Sequence, residues 1–362
     1  MNAPTRSGPI RVMVVDDSAF MRTALSRMID SDPSLKVVGC ANDGQQALEL
    51  LAKLNPDVVT MDIEMPRLNG LETLRRIMAE TPRPVIMVSS LSQEGAQMTL
   101  EALDAGAFDY IPKQLSYVSL DIVKIRDELT TKIHAAAASK VRLRKTPSNS
   151  KPLSAGAPTP ALQAAQFPIP SVVCIGSSTG GPKALQQILP LLPANLTAGV
   201  LIVQHMPPGF TRPFAERLNG LCRVSVREAE DNDWIEPGVI LIAPAGSHMT
   251  PFRKTHTRFG VHLAKTPPGT LHMPSVDVLM LSAAEVFHAS VMGIILTGMG
   301  NDGEAGMRAI HAAGGLTVGQ DEATCTVYGM PRACALAGIL HRSVPLGQVP
   351  SEIVNALRIG YK

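Results

Sequence analysis

At 362 residues the chain is too long for one ordinary core, and at roughly 100 to 200 residues per domain two domains are expected. Its 45% apolar and 18% charged content suits a soluble globular protein, and with no bilayer-length apolar run and no signal-peptide pattern neither membrane insertion nor export is expected. A formal net charge of +2 gives no case for nucleic acid, and five scattered cysteines without a CxxC pair argue against disulfides or a zinc cage and for a reducing cytoplasm.

From Ile10, short apolar strands alternate with helical stretches. Strands are predicted at Ile10–Val15, Lys36–Cys40, Val58–Met61, Val85–Val88 and Phe108–Ile111. Amphipathic helices are predicted at Ala19–Ile29, Gly44–Leu54, Leu71–Ala79, Gly95–Ala105 and Ser119–Ala135. This alternation implies a doubly wound, five-stranded parallel sheet, in which ligands sit beyond the carboxyl ends of the strands. The residues there are Asp16 and Asp17, Asp62, Ser89 and Lys113. A single acid at a strand end is usually a helix cap. Three at one edge repel one another unless a hard cation holds them, and Mg²⁺ prefers such oxygen ligands.

This first half resembles a response-regulator receiver domain of flavodoxin-like fold, with the stretch MDIEMPRLNG around Asp62 the most specific part of the match. The resemblance implies that Asp62 accepts a phosphoryl group from a histidine kinase, and that Asp16, Asp17 and Asp62 hold Mg²⁺. It further implies that Ser89 and Lys113 contact the phosphoryl oxygens and that Tyr110 is the aromatic switch. In this chain Pro112 precedes Lys113, whereas the family lysine usually stands before a proline.

Between the halves, proline, serine and alanine dominate and no period survives, as in a partly stiff linker. The expected domains are 8–135 (receiver), 136–170 (linker) and 171–362. The basic run from Lys132 to Lys151 is read as a solvated part of this joint.

The second half opens with SVVCIGSSTGGPKALQQIL, an apolar run turning at Gly176 into a helix with Pro182 in its first turn. A hydroxyl from Ser177, Ser178 or Thr179 would stand beside helix-end N–H groups, as a nucleophile at an anion site or as part of a phosphate-binding glycine loop. Further strands are expected at Gly199–Val203, Val224–Glu228 and Val239–Ala243, a hairpin-like region at His248–Leu263, a helix at Val276–Ala284 and a strand at Val291–Thr297. A further helix is expected to begin near Glu304. Ser178, His205 and Asp302 each fall where an apolar strand stops, so one rim of a parallel sheet can bring together a nucleophile, a base and an orienting acid. A lone histidine at a strand end is more often packing, and the chain holds eight others. The order Ser, His, Asp and the expected absence of the G-x-S-x-G elbow set the half apart from common α/β-hydrolases.

The motifs IGSSTGG, QHMPPGF, PSVDVL and ILTGMGNDG are similar to those of the CheB family of chemotaxis protein-glutamate methylesterases, and with the receiver the resemblance covers nearly the whole chain. It implies a doubly wound, mostly parallel α/β esterase domain with Ser178 as nucleophile, His205 as base and Asp302 as its partner. The Met299 amide would bind the oxyanion, Thr179 would flank the site, and no cofactor would be needed there. The implied substrates are glutamate methyl esters and glutamines on the cytoplasmic part of chemoreceptors. The unphosphorylated receiver is expected to cover the catalytic rim. A receiver with a DNA-binding output is disfavoured because no helix-turn-helix or basic recognition helix is visible. A nucleotide-binding domain is disfavoured because Gln204-His205 stands where a ribose-binding acid would close the second strand.

Overall fold

The computed structural model describes residues 8–113, 119–139 and 167–360. The chain divides into two compact units, 1–147 and 148–362. Most of the expected linker, 140–166, lies outside the described residues, as does Gln114.

The first unit runs β1 (Ile10–Val15), α1 (Ala19–Asp30), β2 (Leu35–Ala41), α2 (Gly44–Leu54), β3 (Val58–Asp62), α3 (Gly70–Glu80), β4 (Val85–Ser89), α4 (Gln93–Asp104), β5 (Asp109–Pro112) and α5 (Ser119–Ala138). Its five strands pair in parallel in the order β2-β1-β3-β4-β5. Helices α1 and α5 pack together, as do α2, α3 and α4 in succession, so each face of the sheet is covered. That covering explains why β3 and β4 are buried along their whole length and read as unbroken apolar runs. Side-chain caps set the helix starts. Ser92 accepts from the Gly95 amide and begins α4 at Gln93, two residues earlier than predicted, and Asn69 caps α3 through the Glu72 amide.

At its carboxyl end, α5 carries on past the predicted boundary at Ala135. There the reading of Lys132 as part of a solvated linker is corrected. Its side chain is buried, paired with Glu128 at 2.7 Å and Asp109 at 3.3 Å, and it donates to the Tyr110 carbonyl at 2.7 Å. A buried acid at the start of β5 draws the lysine inward, which a count of local charges does not reveal.

The second unit runs β6 (Val172–Ser177), α6 (Gly181–Ile188), β7 (Gly199–Gln204), α7 (Thr211–Asn219), β8 (Ser225–Glu228), β9 (Val239–Ile242), β10 (His248–Arg253) and β11 (Phe259–Ala264). It continues with α8 (Val276–Phe287), β12 (Val291–Ile295), α9 (Glu304–Ala312), β13 (Leu316–Gln320), α10 (Met330–Leu336), β14 (Arg342–Val344) and α11 (Val349–Ala356). Seven strands form one sheet in the order β14-β13-β12-β6-β7-β9-β8, every neighbouring pair parallel, while β10 and β11 form a separate antiparallel hairpin. The chain leaves β6 for β7 on one side and returns to β12 on the other, so the carboxyl end of β6 is a topological switch point.

Strand β12 stops at Ile295, short of the predicted Thr297. There the Thr297 amide leaves the ladder for the Gln320 side chain at 2.8 Å, and its hydroxyl donates to the Thr179 carbonyl at 2.9 Å. Among the described residues no helix is long and apolar enough to cross a membrane.

Candidate active site

Three neighbouring strands, β12, β6 and β7, lead at their carboxyl ends to Asp302, Ser178 and His205. β6 and β7 pair with Ser177 opposite Gln204, so Ser178 and His205 follow as neighbours on adjacent strand ends. The backbone there is fixed from both sides. The Ser178 amide donates to the Thr297 carbonyl and the His205 amide to the Ser177 carbonyl, both at 3.1 Å.

His205 Nε2 lies 2.8 Å from Asp302 Oδ2, and the two side chains are 8% and 11% exposed. Its Nδ1 is buried and has no hydrogen-bond partner among the described residues. A carboxylate on Nε2 places the proton there, which leaves the lone pair on Nδ1. The edge used is the reverse of the serine-protease template, where the acid holds Nδ1. The Ser178 hydroxyl makes no hydrogen bond among the described residues.

Asp302 accepts four hydrogen bonds. Besides His205 these come from the Ser275 hydroxyl at 2.8 Å and the Val276 and Asp277 amides at 2.8 and 3.0 Å. Those amides belong to the first turn of α8, where the helix end favours negative charge. Burial pushes the Asp302 carboxyl up, but the hydrogen bond and charge of His205 together with the two amides outweigh it and hold the acid below the usual range. Asp277 returns the arrangement by accepting from the Gly303 and Gly306 amides at 2.9 and 2.8 Å, at the start of α9.

The three adjacent hydroxyls of the corner separate clearly. Ser177 is fully buried and donates to Gln204 Oε1 at 2.7 Å, Thr179 is buried, and Ser178 alone is partly exposed. The corner Gly176-Ser177-Ser178-Thr179-Gly180 does have G-x-S-x-G spacing, which corrects the sequence reading and would have singled out Ser178. Gly181 has no room for a side chain, since a Cβ there would collide with Gln204 Oε1. Met299 is half-buried beside Gly300, whose φ is +81°, and its amide finds no acceptor among the described residues.

Four residues near the site went unassigned in the sequence. Gln204 donates to the Ser178 and His205 carbonyls, both at 3.0 Å, and so ties the two strand ends together. Ser275 and Asp277 lie in the quoted PSVDVL motif, which was their only signal. His272, counted among the background histidines, stacks on His205.

In the first unit, Asp16, Asp17 and Asp62 offer carboxylate oxygens within 4.8 Å of one another. Among the described residues Asp16 Oδ2 is buried with no well-formed hydrogen bond, paired only with the Lys113 ammonium at 3.3 Å, which also lies 2.6 Å from Asp62 Oδ2. Burial, with Asp16 nearby, pushes the Asp62 carboxyl up to about 6 even though Lys113 opposes the shift. An all-carboxylate donor set with an unsatisfied buried oxygen fits Mg²⁺. The Ser89 hydroxyl faces away from this cluster, bonding the Gly95 carbonyl at 3.2 Å and accepting from Thr99 at 2.7 Å. The Tyr110 ring is buried.

Sheet, strand-end constellation and acidic cluster define the class: a response-regulator receiver joined to an α/β unit with the side-chain set of a serine hydrolase. Comparison with known proteins agrees. Residues 12–122 match the response regulator receiver domain and residues 173–353 the CheB methylesterase family. A protein-glutamate methylesterase/protein-glutamine glutaminase of Nitratidesulfovibrio vulgaris is 47% identical over 371 residues, covering 96% of this chain and 99% of that protein. One from Symbiobacterium thermophilum is 46% identical and covers 97% of this chain and 98% of its own. Among solved structures, the Thermotoga maritima CheB methylesterase catalytic domain aligns with a TM-score of 0.50 at 37% identity, covering 51% of this chain and 97% of that one. The chain belongs to the CheB methylesterase family.

Proposed function

We propose that the chain is a phosphorylation-activated serine esterase of chemotaxis, working in the cytoplasm. It hydrolyses glutamate methyl esters on the cytoplasmic part of chemoreceptors and deamidates receptor glutamines. The observation that carries this reading is His205 held through Nε2 on Asp302, on the strand end next to that of Ser178, with its Nδ1 unpartnered among the described residues.

The Ser178 hydroxyl passes its proton to His205 Nδ1 as Oγ attacks the ester carbonyl. Asp302 stays ionised and balances the imidazolium. The oxyanion is met by the Met299 amide, supplied by a glycine-flanked turn, with Thr179 on the other side of the nucleophile. As the tetrahedral intermediate collapses, the His205 proton goes to the leaving oxygen and methanol departs. Water, deprotonated by the same nitrogen, then attacks the acyl-enzyme, and the proton returns to Ser178 Oγ as the glutamate carboxylate leaves. A glutamine substrate follows the same steps with ammonia as leaving group.

Control enters at Asp62, which takes a phosphoryl group from a histidine kinase. Asp16, Asp17 and Asp62 would hold Mg²⁺, which when bound neutralises charge on the phosphoryl oxygens. Lys113 is already placed against Asp62, while Ser89 must turn its hydroxyl from Gly95 to reach a phosphoryl group, and Tyr110 is the aromatic switch. Methanol release from methylated receptor membranes, measured for wild type, Ser178→Ala and Asp62→Asn with and without a phosphodonor, tests the whole reading. Wild type should respond to the donor, Asp62→Asn should not, and Ser178→Ala should release none. Undiminished release by Ser178→Ala would end the assignment.

A further inference from the structure

His272 takes no part in the steps above, yet its ring lies flat on His205. The centroids are 3.9 Å apart and the planes 18° from parallel. The strap that carries it, residues 270–275, is fastened at several points. The Thr270 hydroxyl is 3.2 Å from His248 Nε2, and the Ser275 amide donates to His248 Nδ1 at 3.2 Å. The Gly246 amide donates to the Met273 carbonyl at 3.0 Å, and the Ser275 hydroxyl reaches Asp302 Oδ1 at 2.8 Å. His248 is fully buried, and burial disfavours its charged form, which suits a neutral ring accepting at Nδ1. The stack is therefore built on the same scaffold that holds the acid.

Asp302 grips His205 by a single ring atom, so the imidazole can still swing about that contact. A second ring laid against its face removes the swing. We propose that His272 is a positioning residue that sets the plane of the His205 ring and so keeps Nδ1 aimed at the Ser178 hydroxyl. The inference rests on the reading of Ser178 and His205 as nucleophile and base. Flat ring area matters here more than polarity.

The test is the second-order rate at which a fluorophosphonate labels Ser178 in the full-length protein, together with kcat and KM for methanol release. His272→Ala is expected to lower labelling and kcat about tenfold with little change in KM. His272→Phe, which keeps a flat ring, should recover to within about threefold of wild type, and His272→Gln should not. Thermal melting identifies the folded variants, and if the alanine variant does not fold, the phenylalanine and glutamine variants decide between themselves. Wild-type labelling by folded His272→Ala overturns the proposal, and so does equal behaviour of the Phe and Gln variants. A wild-type protein that is not labelled at Ser178 sinks the esterase reading instead.

Discussion

Gln204 offers a demanding check on this account because it touches no substrate atom in the proposed steps. Its amide makes three hydrogen bonds, from the Ser177 hydroxyl and to the Ser178 and His205 carbonyls. Gln204→Leu keeps the volume and removes all three. The Ser178 carbonyl retains the Gly181 amide at 2.7 Å, so the groups left bare are the fully buried Ser177 hydroxyl and the half-buried His205 carbonyl. An unsatisfied buried group costs about 1–3 kcal/mol, so with partial hydration of the carbonyl the loss should be about 2–4 kcal/mol. For a unit of this size that is a melting shift of roughly 5–15 °C. Activity should fall further than stability alone explains, since the two carbonyls that lose the Gln204 amide belong to the nucleophile and the base. Urea unfolding and thermal melting of the variant read the first effect, and kcat at a temperature where it is fully folded reads the second. A Gln204→Leu protein with wild-type midpoint and wild-type kcat would refute the reasoning.

Ser178→Ala should lose esterase activity without rescue from Ser177, whose hydroxyl is buried and committed to Gln204, and the Ser177→Ala protein should still be labelled at Ser178 by a fluorophosphonate. Asp302 has a lowered folded-state pKa, so it contributes stability above the unfolded carboxylate value of about 3.9, and that contribution fades as pH falls through the folded value. Denaturant unfolding should therefore show wild type more stable than Asp302→Asn at about pH 5 and above, with the margin narrowing below about pH 4; a margin unchanged at pH 2 counts against the ionised acid. Chelation of divalent ions should abolish phosphorylation of Asp62 by a small phosphodonor, and added Mg²⁺ should restore it, as followed by phosphate incorporation. Incorporation that persists in excess chelator would break the link between the three carboxylates and the metal.

Much of this arrangement was open to view in the chain itself, because parallel strands buried on both faces announce themselves as apolar runs and chemistry collects where such runs stop. Asp62, His205 and Asp302 were all found that way. What escaped depends on partners remote in sequence. Gln204 matters only once β6 and β7 are in register, and no local feature tells a strand-end glutamine that bridges carbonyls from one that meets solvent. His272 is one histidine among nine, and its stack exists because the strap is tied to His248 and Asp302. Lys132 sits in a basic run, and its pairing with Asp109 appears only when α5 lies along β5. Strand β12 ends early because Gln320, a residue of the next strand, captures the Thr297 amide. In each case a contact across the fold overrides the local pattern.

The absence of a basic residue from the described partners of Asp302 carries a final consequence. An acid this buried is usually held ionised by lysine or arginine, which would compete with the imidazolium for its charge. Here the first amides of α8 do that work, and the start of α9 is capped in turn by Asp277 from α8, so Asp302, in the turn leading into α9, and Asp277 each serve the start of the other's helix. Aligned amides stabilise a carboxylate without adding a full positive charge, which leaves its charge to balance the His205 imidazolium formed during proton transfer. Desolvation, with the nearby Asp302 charge, pushes the Asp277 carboxyl up, and the Gly303, Ala305 and Gly306 amides at the start of α9 offset only part of that shift. A substitution that loosened α8 against α9 would thus move Asp302 relative to His205 without touching either residue, and its effect should fall on kcat before it reaches KM.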